Sequence, residues 1–310
     1  MSEKIEEHIP LRVLNQFKGK SKEEIILLTK IRYLQQISVL RGGKDFLNYL
    51  FKIYEIKEKI SEKLIKRLAQ KLTLNEVYLY LGYQLSNQST TYVYKVNLKG
   101  MKRIEENEFG QPIWRNETPN ELTLWATKDS DKTFNLFFFS RGEKKRYFNP
   151  ITQFVEYIIF EQVVFIIGHK DKNFVEFLCK NIGVRSISQI ISFLQKKYGL
   201  RGFSPIIITE NDIRMFDKKI QETTYEVREG TCSVALTRAQ PGISTKQDPT
   251  RTYISAREFR KEHGVLNSSN GSRTVVGLTR GNPGKIQFKS SLTLEERKEV
   301  FDKLIQILGW

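Results

Sequence analysis

The sequence predicts an α+β protein, on three observations. The first 85 residues carry apolar positions at three- and four-residue steps between capping signals, the period of helices. From Ser89 the chain turns to β-branched and aromatic runs separated by polar turns, the signature of antiparallel strands. It closes on two strand-like runs, a Gly- and Pro-containing turn and one amphipathic helix. The expected organisation is an N-terminal helical region over residues 1–85 and an α+β region over 86–310. The latter would hold a central antiparallel sheet, a helical segment at 149–200, basic loops at 238–280, and a C-terminal sheet plus helix.

In the first region Ser21 and Glu24 have capping-box spacing before "IILLTKIRYLQQISVL", and Arg41-Gly42-Gly43 is expected to break that helix. A second helix from Lys44 would align Ile53, Ile56, Ile60, Leu64, Leu68 and Leu72 on one stripe. On its polar face Glu55 with Lys59 and Glu62 with Lys66 stand four residues apart as favourable ion pairs. Thr73 and Glu76 repeat the capping spacing before "VYLYLGYQL".

Strands are expected at "STTYVYKVNLK", "ELTLWAT", "TFNLFFFS" and "KKRYF" in an antiparallel meander, with Gly142 in a hairpin turn between the last two. Asn149 before Pro150 reads as an N-cap and a first helical position, opening a helix from Ile151 through "FEQVVFII". Helices over "KNFVEFLCKN" and "SISQIISFLQKKYG", a strand at "SPIIITE" and a helix at "NDIRMFDKKIQ" follow. Then come one or two strands in "TTYEVREGTCSVALTR", an exposed loop over 239–252, a helix at "SAREFRKEHG" and a polar loop at "LNSSNGS". Strands at "RTVVGLTR" and "KIQFK", joined by "GNPG", lead to the helix "TLEERKEVFDKLIQIL".

The 310 residues carry 51 Lys and Arg against 35 Asp and Glu, a formal net charge of +16. Solubility in a small domain is served by a net charge of roughly 2 to 8, so the surplus points to a field that attracts a polyanion. Cys179 and Cys232 are far apart, which argues against a disulfide framework, a disulfide-linked partner or a four-cysteine zinc site. The start of the chain lacks the apolar core of a secretory signal, and no window of about 18 uncharged apolar residues occurs. These features favour an intracellular protein, cytoplasmic or nucleoid-associated, with no membrane partner. His8, His169 and His263 are too scattered for a metal centre or a Ser-His-Asp set, so no metal or cofactor is expected, and His169 reads as a helix-end residue.

Two acidic sets are candidates for chemistry. Asp131 with Glu143 and Lys145 has the letters of a Mg-dependent nuclease of the PD-(D/E)xK type, in which two carboxylates hold the metal and a lysine helps activate water. Turn residues explain the same letters. Asp212 or Asp217 with Glu226 is the other set, but the following Arg228 cannot act as the lysine does, because a guanidinium does not deprotonate. "FLCKNIGVRSISQIISFLQKKYG" could be written as a helix-turn-helix around Cys179, Gly183 and Val184, or as a helix-hairpin-helix, although Gln189 stands where an apolar residue is wanted. An ordinary packed helical pair is the plainer alternative.

The strongest signal is distributed. Cations recur beside aromatics and glycines: Lys99, Lys102 and Arg103 form one group, and Arg141, Lys144, Lys145, Arg146 and Tyr147 another. Lys196, Lys197, Tyr198 and Arg201 follow, then Arg251, Tyr253, Arg257, Arg260 and Lys261. Arg273, Arg280 and Lys285 complete the set. Cations neutralise phosphates and aromatics stack on unpaired bases. The expected function is therefore binding of DNA or RNA, without catalysis, as a subunit of a nucleoprotein assembly with other protein subunits. The alternatives are the nuclease and a basic scaffold that meets an acidic protein.

Overall fold

The computed structural model describes residues 20–38, 41–104, 122–148, 155–182, 184–219, 223–229, 232–236, 258–267 and 273–310. The chain divides into two compact units between Leu81 and Gly82.

The first unit is helical. Helix α1 (Lys22–Ser38) opens on the expected capping box, with the Ser21 amide donating to Glu24 and the Glu24 amide donating to Ser21 Oγ. Arg41-Gly42-Gly43 does not stand outside the helices; it starts α2 (Arg41–Ile53). The single long helix expected from Lys44 is two helices, because Glu55 takes φ 51° and the Ile56 amide bonds back to the Phe51 carbonyl at 2.8 Å, which closes α2. Ser61 then caps α3 (Glu62–Lys71) through the Leu64 amide. Of the two ion pairs expected on one helix, Glu62–Lys66 stands at 3.1 Å on α3, whereas Glu55 lies outside both helices and Glu58 meets Arg67 at 2.6 Å. Thr73 and Glu76 form the expected box at the start of α4 (Leu74–Ser86). Leu34, Leu47, Leu50, Leu64, Leu68 and Val77 are buried together as this unit's core.

The second unit is built on strands β1 (Thr90–Asn97), β2 (Thr123–Asp129), β3 (Thr133–Phe148), β4 (Val155–His169), β5 (Phe174–Lys180), β6 (Arg201–Pro205), β7 (Thr223–Glu229), β8 (Cys232–Leu236), β9 (Glu258–Asn267), β10 (Arg273–Thr279) and β11 (Lys285–Phe288). Among the described residues they form one antiparallel sheet of order β2-β3-β4-β5-β1-β11-β10-β9-β7-β8, with β6 also pairing β1. Together with α5 (Val184–Tyr198), α6 (Glu210–Lys219) and α7 (Leu294–Leu308), this makes the fold α+β.

The sheet is covered on both faces, as the two-residue period of its strands requires. On β1, Tyr92, Tyr94 and Val96 join a core with Phe138, Phe177, Ile190 and Phe193, the last two from α5. Val93 points the other way, into a core with Phe216 of α6 and Val300, Phe301 and Leu304 of α7. Burial on both faces erases the alternation that marks a strand in sequence. That is why "FEQVVFII" belongs to β4 and "FVEFLCK" is β5, where helices were expected. The helix-turn-helix and helix-hairpin-helix readings fail with them, since Cys179 lies on a strand. "EFRKEHG" is likewise part of β9 and not a helix, held by pairing to β7 and β10. The expected "SPIIITE" strand begins earlier, at Arg201, and ends at Pro205. Residues 239–252 lie outside the described residues.

Gly142 is not a turn residue. β3 and β4 pair from Thr133↔His169 to Phe148↔Val155, with a shift of register between Arg141 and Lys144 that makes Gly142 and Glu143 a bulge inside one strand. β2 pairs only as far as Phe139, and β5 only with Val163–His169. Beyond them, the far ends of β3 and β4 continue as a two-stranded ribbon.

One close approach fixes the β3–β4 register. A Cβ on Gly168 would lie 1.9 Å from Phe134 Cε1, its cross-strand partner, so the buried Phe134 ring occupies the space a side chain would take. Gly168→Ala is therefore expected to destabilise the protein by about 1–3 kcal/mol in urea unfolding, and Phe134→Leu in that background to recover part of the loss. An unchanged midpoint for Gly168→Ala would show that the ring can move aside at no cost.

Candidate functional site

The C-terminal end of β1 is where basic segments meet. Asn97 pairs with Arg201 at the start of β6, and Lys95 with Ser204. The chain then turns through Asn97–Gly100, the Lys99 amide donating to Asn97 Oδ1 at 2.9 Å and Gly100 taking φ 79°. The Lys102 amide donates to the Tyr198 carbonyl at 2.9 Å, which sets this turn against the last turn of α5 and hence against Lys196 and Lys197. On the other side the Val96 amide donates to the Asn173 carbonyl at 2.9 Å, bringing in the β4–β5 turn with Lys170 and Lys172.

These segments surround a cleft of about 550 Å³ lined by Lys95, Val96, Asn97, Lys99, Lys172, Asn173, Phe174, Gly202 and Trp310. Lys95, Lys99, Lys102, Arg103, Lys196 and Arg201 are exposed, and Lys172 and Lys197 partly so. Lys170 and Lys172 are tied down: Lys170 Nζ lies 2.5 Å from Asp129 Oδ1, and Lys172 meets Asp302 of α7. Lys95 Nζ sits 5.9 Å from the centre of the Phe174 ring, within cation–π reach. Trp310 is placed by the end of α7, where Gly309 takes φ 67° and both the Gly309 and Trp310 amides donate to the Ile305 carbonyl. Lys196 and Lys197 also suit the negative end of the α5 dipole, a structural role that accounts for them in part.

Behind the cleft lies a polar cluster that the sequence reading missed. Glu176 of β5, His169 of β4 and Arg297 of α7 are respectively 0%, 1% and 1% exposed. Glu176 Oε2 accepts from Arg297 Nη2 at 2.8 Å, and its Oε1 lies 2.9 Å from His169 Nε2. Arg297 Nη2 also donates to Thr91 Oγ1 of β1 at 2.9 Å, while its guanidinium lies 4.2 Å over the Phe288 ring. The His169 ring stacks on Phe301 at 5.0 Å and 19°. Burial pushes the Glu176 carboxyl up, but Arg297 and the His169 hydrogen bond outweigh it and hold the group below its ordinary value. An ionised carboxylate only accepts, so His169 donates through Nε2. His169 is thus a buried strand-end residue, not a helix-end one. The cluster fastens α7 across β1, β4 and β5.

The first acidic set does not come together as its letters suggested. Asp131 is exposed in the β2–β3 turn, and Glu143 stands ten positions along β3 from Thr133, roughly 30 Å of rise, so one metal cannot join Asp131 to Glu143 and Lys145. Asp212 is consumed by capping α6: its Oδ2 accepts from the Thr209 amide and hydroxyl, both at 2.7 Å, and its own amide donates to Thr209 Oγ1. Asp217 lies on α6 and Glu226 on β7. Among the described residues no group of three or more His, Cys, Asp or Glu could hold a metal ion, and no helix is long and apolar enough to cross a membrane. Burial pushes the Cys179 thiol well above its ordinary value, which removes it as a nucleophile.

The expected basic positions fall in three places. Lys196, Lys197 and Arg201 join Lys99, Lys102 and Arg103 around the cleft. Arg141, Lys144, Lys145, Arg146 and Tyr147 lie along the outer part of β3, in the ribbon paired to β4. Arg273, Arg280 and Lys285 lie on or beside β10 and β11, with Arg280 Nη1 3.6 Å from Glu210, and Arg260 and Lys261 are on β9. Arg251, Tyr253 and Arg257 lie outside the described residues. Lys95, Lys172 and Trp310 are additions from the structure. A scan against protein-family models finds no match for this chain, and a search of the curated proteins finds none either.

Proposed function

We propose that the protein binds nucleic acid without reacting on it, as a subunit of a larger nucleoprotein assembly. The observation that supports this best is the charge at the end of β1. Residues 95–104, 170–173 and 196–202 hold nine Lys and Arg and a single carboxylate, Asp171. Even with Asp129 and Asp302 counted against them, the excess is positive. Cations gathered on one surface, beside Phe174 and Trp310, suit a polymer that offers both phosphates and bases.

The non-catalytic reading is tested by incubating labelled DNA and RNA oligonucleotides with the protein and Mg²⁺, then separating products under native and denaturing conditions. Retarded but intact strands are expected. Cleavage that Glu226→Ala or Glu143→Ala abolishes would overturn it in favour of a nuclease.

A further inference from the structure

Resting on that nucleic-acid reading, we propose that the cleft takes an unpaired base with its flanking phosphates, so that the polymer is single-stranded, with Trp310 as the stacking platform. The cleft, of about 550 Å³, is the size of a site for one small molecule and opens to solvent, so a base can enter it while its flanking phosphates stay at the rim. Of its two aromatic residues, Phe174 is 5% exposed and already carries Lys95 near its ring, which leaves the half-buried Trp310. Gly309 ends α7 in a left-handed residue and Trp310 packs against the core beneath that helix, contacts that lower the ordering its indole requires on binding. A fixed aromatic surface between cations serves bases of any sequence, since each has a π-face, whereas in a duplex those faces are covered.

The cations divide by role. Lys172 is held by Asp302 and shapes the cleft wall, so Lys95 and Lys99 supply the phosphate contacts.

The test compares a 15-nucleotide oligothymidylate, a 15-base-pair duplex and the matching oligouridylate at about 50 mM salt, read by anisotropy and by indole quenching. Both single strands are expected to bind at least 10-fold more tightly than the duplex and to quench emission in the wild type but not in Trp310→Phe. Trp310→Ala should weaken them roughly 5- to 100-fold and leave duplex affinity unchanged, while Trp310→Phe retains most of the affinity. Far-UV circular dichroism and a thermal melt establish that each variant is folded, and Lys99→Glu, in an exposed turn, provides an independent probe of the same site. Equal binding of single strand and duplex, with Trp310→Ala and Lys99→Glu both unchanged, overturns the stacking site and leaves the wider reading standing. No binding of any of the three polymers overturns both.

Discussion

Arg297→Ala is expected to be the most damaging single substitution, lowering stability by about 3–5 kcal/mol and the melting temperature by roughly 6–20 °C. The reason is what it leaves behind. Glu176 is fully buried between two sheet strands and a helix, and its charge is compensated by Arg297 and His169. Removing the guanidinium strands a carboxylate in a medium that solvates it poorly, and also orphans Thr91 Oγ1. Urea unfolding measures the loss. The paired replacement Glu176→Leu with Arg297→Met should recover at least half of it, because the two desolvation penalties disappear together and only uncharged groups, His169 Nε2 and Thr91 Oγ1, lose a partner. The pH dependence follows from the direction of the Glu176 shift. The folded carboxyl titrates below its ordinary value of 4.5, so its stabilising effect is present above that pH and is lost as pH falls through the folded value. Wild-type protein should therefore lose stability below about pH 4.5 more steeply than Glu176→Gln. Parallel acid-unfolding curves would mean that the carboxylate is not what α7 depends on.

Lys95→Glu combined with Lys99→Glu is expected to weaken nucleic-acid binding roughly 10- to 100-fold at about 0.1 M salt, and to make the log–log salt dependence shallower by about 1 to 2. Both side chains are exposed and neither lies in the Glu176 cluster, so the fold should survive. Lys63→Glu with Lys66→Glu on α3 makes the same change in total charge in the helical unit and should cost less than about 3-fold. Equal losses for the two pairs would show that overall charge, and not the cleft, sets the affinity.

The legible parts of the fold were those with a β-branched and aromatic run bounded by polar residues, or with a local cap. "STTYVYKVN" is rich in β-branched and aromatic residues and is β1, and the boxes at Ser21/Glu24 and Thr73/Glu76 stand where the letters put them. β4 and β5 escape recognition because their buried halves are apolar without alternation, and Asn149-Pro150 lies outside the described residues. β9 carries helix-forming letters, and its pairing to two neighbours overrides them. The Glu176–His169–Arg297 cluster does leave a trace in the sequence. Glu176 is a lone charge inside a run of buried apolar residues, and Arg297 occupies the apolar stripe of α7 that continues at Val300, Phe301, Leu304 and Leu308. A charge in such a position is retained in the interior only with partners. The cleft could not be read at all: Lys95, Lys172 and Trp310 are separated by tens to hundreds of residues and meet only because β1 pairs with β5 and α7 closes over them.

If this surface holds nucleic acid, as proposed, binding must weaken steeply with salt. Anisotropy of a labelled oligonucleotide is followed from about 50 to 300 mM salt with the wild-type protein. The account predicts saturable binding at the low end and a linear fall of log affinity with log salt, with a slope of roughly −3 or steeper, set by the number of phosphates neutralised. Absence of saturable binding at the low end, or an affinity indifferent to salt, would contradict it.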